Sequence, residues 1–100
     1  SIGMMRFVTL TPELAEEYGL SVDRGVVVLQ MTRSSSAYRA GIRPGDVIVS
    51  FNGQRVDDDG QLRKLLLDAQ VGTTVTIQVL RDGRTVSVKV PVVPRVQGRG

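Results

Sequence analysis

The chain has four groups of residues whose type and spacing could do chemistry. Ser34, Ser35 and Ser36 stand in a run, Lys64 and Lys89 are its lysines, Asp57, Asp58 and Asp59 are consecutive, and Gly3 sits between Ile2 and Met4. A serine nucleophile needs a base within hydrogen-bond reach. The chain has no histidine, and nothing in its order brings either lysine beside the serines, so they read as a polar loop. Three adjacent aspartates lack the alternating oxygen ligands and closing glutamate of a calcium loop. They read instead as the solvated start of a helix, where the dipole favours negative charge. With neither cysteine nor histidine, thiolate and imidazole metal sites are excluded. Asn52-Gly53 and Asp82-Gly83 are turn pairs and belong to no glycine-rich phosphate motif. The expectation is no catalytic residue, no metal and no cofactor.

The fourth group is of another kind. A glycine between two bulky apolar residues, just ahead of a strand, lets successive backbone N–H groups turn toward one point and hold an anion without a charged side chain. If the strand that follows is a sheet edge, an extended peptide can add to it through main-chain hydrogen bonds. Ile2, Gly3 and Met4 would then receive the carboxylate at the end of another chain.

The elements that must position such a site are legible as patterns. Met4–Leu10 alternates weakly and reads as a strand, and Thr11-Pro12-Glu13 starts a short helix with a cap, a proline at the first position and an acid in the first turn. Gly25–Met31 is β-branched and almost wholly apolar, which predicts a strand buried on both faces. Ser34–Arg39 is a loop feeding one helical turn closed by Gly41, and Arg43-Pro44-Gly45-Asp46 is a turn into the strand Val47–Phe51. Leu62, Leu65, Leu66 and Ala69 recur at helical spacing and predict a helix over Gln61–Ala69. Thr74–Leu80 and Arg84–Val90 alternate around Arg81-Asp82-Gly83 and form a hairpin. The result is an α+β domain of about five strands and two to three helices over residues 1–93. Residues 94–100, with one proline, two glycines and two arginines, read as a linker or tail.

Composition narrows the partners. One hundred residues make one domain. No apolar run reaches the length of a membrane span, so no membrane insertion is expected. The net charge of +3 comes from scattered basic residues, with only four aromatics among them, so a nucleic-acid surface is not expected either.

The middle of the chain resembles a known family. Gly25-Val26-Val27-Val28, Ser36-Ala37-Tyr38-Arg39-Ala40-Gly41-Ile42, Arg43-Pro44-Gly45-Asp46-Val47-Ile48, Asn52-Gly53 and the closing Val79–Arg84 look like the signature of PDZ domains in HtrA/Deg-type serine proteases. Ser1-Ile2-Gly3-Met4 resembles the carboxylate-binding loop of that family, and the likeness spans about residues 1–93. The resemblance implies a PDZ-like fold of the permuted bacterial type, a small antiparallel and partly open barrel. It also implies a non-catalytic module that captures C-terminal or unfolded apolar segments for a serine endopeptidase engaged in protein quality control. That parent would be periplasmic or otherwise extracytoplasmic in a bacterium, and homo-oligomeric. The implied groove lies between the first strand and the helix, with main-chain donors at Ile2, Gly3 and Met4 and with Met5, Arg6, Phe7, Gln61, Leu65 and Asp68 along it. The side chains of Ile2, Met4 and Leu65 would line the pocket for the terminal residue.

Some features depart from the family. Ser1 stands where an aromatic is common, and Arg6 where an apolar groove residue is common. Period-two alternation puts Ile2, Met4 and Arg6 on one face, which would favour an acidic side chain two residues before the ligand's end. Gln61 stands near the place where a histidine selects serine or threonine at that ligand position, so such a selection is not expected. The same fold also resembles PDZ modules of intramembrane metalloproteases, C-terminal processing peptidases and secretion components. A subunit-assembly domain would use the same groove for a neighbouring chain.

Overall fold

In the computed structural model, which describes residues 1–95, six strands and three helices form. They are β1 (Met5–Thr9), α1 (Pro12–Glu17), β2 (Val26–Met31), α2 (Ser36–Ala40), β3 (Val47–Phe51), β4 (Gln54–Arg55), α3 (Asp59–Asp68), β5 (Thr74–Arg81) and β6 (Arg84–Pro91). The sheet is antiparallel in the order β1-β2-β3-β5-β6, and β4 pairs with β3.

The β5–β6 hairpin is its longest ladder, from Thr74↔Pro91 to Arg81↔Arg84. Asp82 and Gly83 turn it with φ of 51° and 75°, the two positive angles that a two-residue turn matched to strand twist requires. Asn52 and Gly53 repeat the arrangement between β3 and β4 with φ of 49° and 81°.

The sheet is covered on both faces. The larger core cluster joins Val26, Val28, Ile48, Ile77, Val79 and Val90 to Leu62 of α3 and Ala37 of α2. A smaller one joins Leu10, Val47 and Leu80 to Ala15 of α1. Burial on both faces of β2 holds for its first half only, because Leu29 and Gln30 are exposed. The reason is register: β2 meets β3 only at Val26↔Ile48 and Val27↔Val47, so its second half has β1 as its one strand neighbour.

Polar groups close the loops as the residue types predict. Thr11 caps α1, its Oγ1 accepting from Leu14 N at 3.1 Å, and Ser35 caps α2, its Oγ accepting from Tyr38 N at 3.1 Å. Ser36 Oγ donates to the Pro91 carbonyl. The cap of α3 is Asp58, which accepts from Gln61 N at 2.8 Å, so the helix begins at Asp59, two residues earlier than the leucine spacing alone implies. Asp46 is 2% exposed and accepts from Arg43 N at 2.8 Å and from Arg81 Nε and an Arg81 terminal nitrogen at 2.8 and 2.6 Å. The bond to Asp46 pushes the Arg81 guanidinium above its ordinary range, and Arg81 also donates to the Gly41 carbonyl at 2.7 Å.

The sheet curls without closing. Ser1 and Val93 exchange a pair of hydrogen bonds at 2.9 Å, tying the start of the chain to the segment after β6. β1 itself has β2 as its only strand neighbour among the described residues. Val92 is buried and Pro94 exposed, while residues 96–100 of the expected tail lie outside the described residues.

Candidate functional site

Hydrogen-bond direction decides which groups of β1 remain open. The Met4 carbonyl accepts from Thr32 N at 3.2 Å, and Leu10 N donates to the Gly25 carbonyl at 2.8 Å, so both ends of β1 are tied toward β2. Val28 stands opposite Phe7, but its N–H donates to Asp46 and its carbonyl accepts from Gly45, both toward β3. By the alternation of an antiparallel pair, the main-chain groups of Met5, Phe7 and Thr9 face the open side. A strand laid there would find donors and acceptors at every second residue.

The segment before β1 is anchored from below. The Ile2 side chain is buried in the larger cluster, and its carbonyl accepts from Ala37 N at 3.0 Å. Gly3 has φ of +101°, and a Cβ there would meet the Ser35 Cβ at 2.1 Å, so only glycine fits. The Gly3 amide donates to Ser1 Oγ at 3.0 Å. The amides of Ile2 and Met4 make no hydrogen bond to another described residue. The predicted carboxylate-binding segment thus carries two unpartnered donors, with the third held by a flexible hydroxyl at the first residue.

The opposite wall of the groove is α3. Asp59 N donates to Thr9 Oγ1 at 2.9 Å, and the Arg63 guanidinium carbon lies 5.2 Å from the centre of the Phe7 ring. At about 100° per residue, Asp59, Arg63 and Leu66 form one flank of the helix beside the buried Leu62. Met5, Phe7 and Thr9 are half-buried beneath that flank, whereas Met4 is 79% exposed and Arg6 and Val8 also point outward.

The sequence-predicted site residues fall on both flanks of α3 and on both faces of β1. Phe7, and by alternation Met5, lie on the face of β1 turned toward α3. Gln61, Leu65 and Asp68 stand on the other flank of α3. Gln61 Oε1 accepts from Asp57 N at 2.8 Å and its Nε2 donates to the Arg55 carbonyl at 2.7 Å, while Leu65 and Asp68 border a depression with Phe51 and Asn52. Their spacing has the shape of a groove-lining stripe, but the helix is rotated so that its stripe at 59, 63 and 66 faces β1. Arg6 turns to the adjoining strand and donates to Gln30 Oε1 at 3.1 Å. Ile2, Met4 and Arg6 do not share a face, because the positive φ of Gly3 breaks the extended alternation between Ile2 and Met4. Asp59, Arg63 and Leu66 escaped the sequence reading. The Asp58 cap could have brought Asp59 into the helix, but which flank meets β1 follows from the burial of Leu62 and the contact of Asp59 with Thr9.

A family model described as PDZ domain matches residues 5–92 of this sequence. The chain belongs to the PDZ domain family. Over 79 residues, this PDZ domain is 40% identical to the periplasmic serine endoprotease DegP of Escherichia coli strain K12, covering 79% of the chain and 17% of that protein. It is 38% identical over 88 residues to a probable periplasmic serine endoprotease DegP-like of Chlamydia trachomatis, covering 85% of the chain and 18% of that protein. Among solved structures it resembles the HtrA-type protease AlgW with a decapeptide, at a TM-score of 0.84 and 34% identity, covering 98% of this chain and 30% of that one. It also resembles the HtrA3 PDZ domain bound to a phage-derived ligand (FGRWV), at a TM-score of 0.78 and 28% identity, covering 91% of this chain and 82% of that one. The PDZ domain spans 17–18% of the length of these two curated relatives.

Proposed function

We propose that this PDZ domain captures the C-terminal end of other polypeptides by adding it as a strand to β1, and that it serves as the substrate-recognition or regulatory domain of an HtrA-type serine protease. The observation that carries this reading is the open side of β1, where Met5, Phe7 and Thr9 present main-chain groups beside the unpartnered amides of Ile2 and Met4. Peptide-bound neighbours of the same fold support it. The domain ends near Val93 and contributes no catalytic residue. Protease activity resides elsewhere in the parent protein, which is periplasmic, as the names of its relatives suggest. The occupant is an apolar C-terminal segment or an exposed segment of an unfolded protein.

Affinity is on the order of micromolar, since one short added strand must immobilise a flexible peptide. The test compares peptides with free and amidated C-termini by fluorescence anisotropy. Amidation is expected to weaken binding at least about tenfold, the loss of one charge-assisted contact. The Gly3→Val variant is expected to weaken binding similarly while thermal unfolding confirms that the domain still folds. Equal binding of free and amidated peptides would remove the carboxylate from the mechanism.

A further inference from the structure

We infer that the groove selects an acidic side chain two residues before the ligand's C-terminus, and that Arg63 is the residue that selects it. The inference rests on the strand-addition reading above. In an antiparallel addition to β1, ligand residues that bond to Met5, Phe7 and Thr9 are themselves spaced by two. With the terminal carboxylate at Ile2–Met4, the last ligand residue stands opposite Met5 and the residue two before it opposite Phe7. Alternate side chains of a strand share a face, so these positions are recognised by one wall.

At the level of Phe7 that wall is a cation. The exposed Arg63 guanidinium lies over the Phe7 ring and forms no ion pair with another described residue. Asp59, one turn earlier on the same flank, stands at the far end beside Thr9 and does not come within ion-pair distance of Arg63. Lys64, next along the helix, adds positive charge. Arg6, the other cation near the edge, is turned to Gln30 on the opposite face. An arginine held by a ring, with its donors unpaired, can receive a carboxylate in bidentate fashion. A ligand arginine at that position would meet like charge.

The experiment uses the pentapeptide of the HtrA3 complex, Phe-Gly-Arg-Trp-Val, and two versions with glutamate or glutamine at its centre. Each is titrated against the wild-type domain, Arg63→Gln and Arg63→Glu, at low and high salt. On the wild type the expected order is glutamate, then glutamine, then arginine, with roughly two- to fivefold between steps, the scale of a solvent-exposed ion pair. The steps should shrink with salt, vanish in Arg63→Gln and reverse in Arg63→Glu. Equal affinity of the glutamate and glutamine peptides for the wild type, or a preference that survives in Arg63→Gln, overturns the inference while leaving strand addition standing. An amidated glutamine peptide separates the two readings. If it binds as well as the free acid, the carboxylate anchor that sets the ligand's register is removed and the selection falls while strand addition stands; if no free-acid peptide binds, strand addition itself fails and the selection falls with it.

Discussion

Two corners of the sheet treat their polar groups in opposite ways. Around Asp46, donors and acceptors are matched. The carboxylate holds Arg43 N and both arms of Arg81, Arg81 reaches the Gly41 carbonyl, and Val28 bonds into the same turn on both its main-chain groups. Along β1 the matching stops. One side pairs with β2, the other has no strand neighbour among the described residues, and the exposed Arg63 of α3 lies over the half-buried Phe7 ring of β1. The chain leaves its hydrogen-bond capacity incomplete in one place, and completes it close by, where Gly45 and Asp46 hold β2 to β3. An open strand edge is ordinarily a liability. Here the neighbouring helix restricts what can approach it, and the packed corner keeps β2, and therefore β1, in position.

This contrast predicts that changes at the first corner cost stability and changes at the second cost binding. The largest effect is expected from Asp46→Ala. It leaves the partly buried Arg81 without its carboxylate and should lower unfolding free energy by about 3 kcal/mol, measured by urea denaturation, while the folded fraction binds peptide as before. Phe7→Ala lies on the boundary between the two behaviours. It removes a half-buried ring from the groove floor, with about 2 kcal/mol of stability lost and a weakened peptide titration. Leu65→Ala and Leu66→Ala sharpen the comparison across a single helix turn. Each should lose about 1 kcal/mol of stability, but only Leu66→Ala should weaken the peptide, because Leu65 faces Phe51 and Asn52. If Leu65→Ala weakens binding as much as Leu66→Ala, the assigned flank of α3 is incorrect. The smallest change in stability, within about 0.5 kcal/mol, is expected from Arg63→Glu, which alters only which peptide is preferred.

Much of this could be read from residue order, because the governing physics is local. Alternation fixed the β5–β6 hairpin, Asp82-Gly83 and Asn52-Gly53 fixed their turns, and Thr11-Pro12 fixed the start of α1. Gly3 was legible as the special position of the edge. The face that each residue presents was harder to read. Arg6 followed the apparent period from Ile2, and the backbone at Gly3 resets that period. Gln61 sat at the predicted start of the helix, whereas packing of α3 on the sheet turns Asp59 and Arg63 toward β1.

The sequence by itself therefore determined the elements other than the two-residue β4, their turns and the family, since periodicity, caps and turn pairs act over a few neighbouring residues. Only the tertiary structure decided which flank of α3 meets β1 and which side of β1 stays open. Those outcomes depend on contacts between residues some fifty positions apart, as in Asp59 with Thr9, and no local pattern encodes the rotation of one element against another.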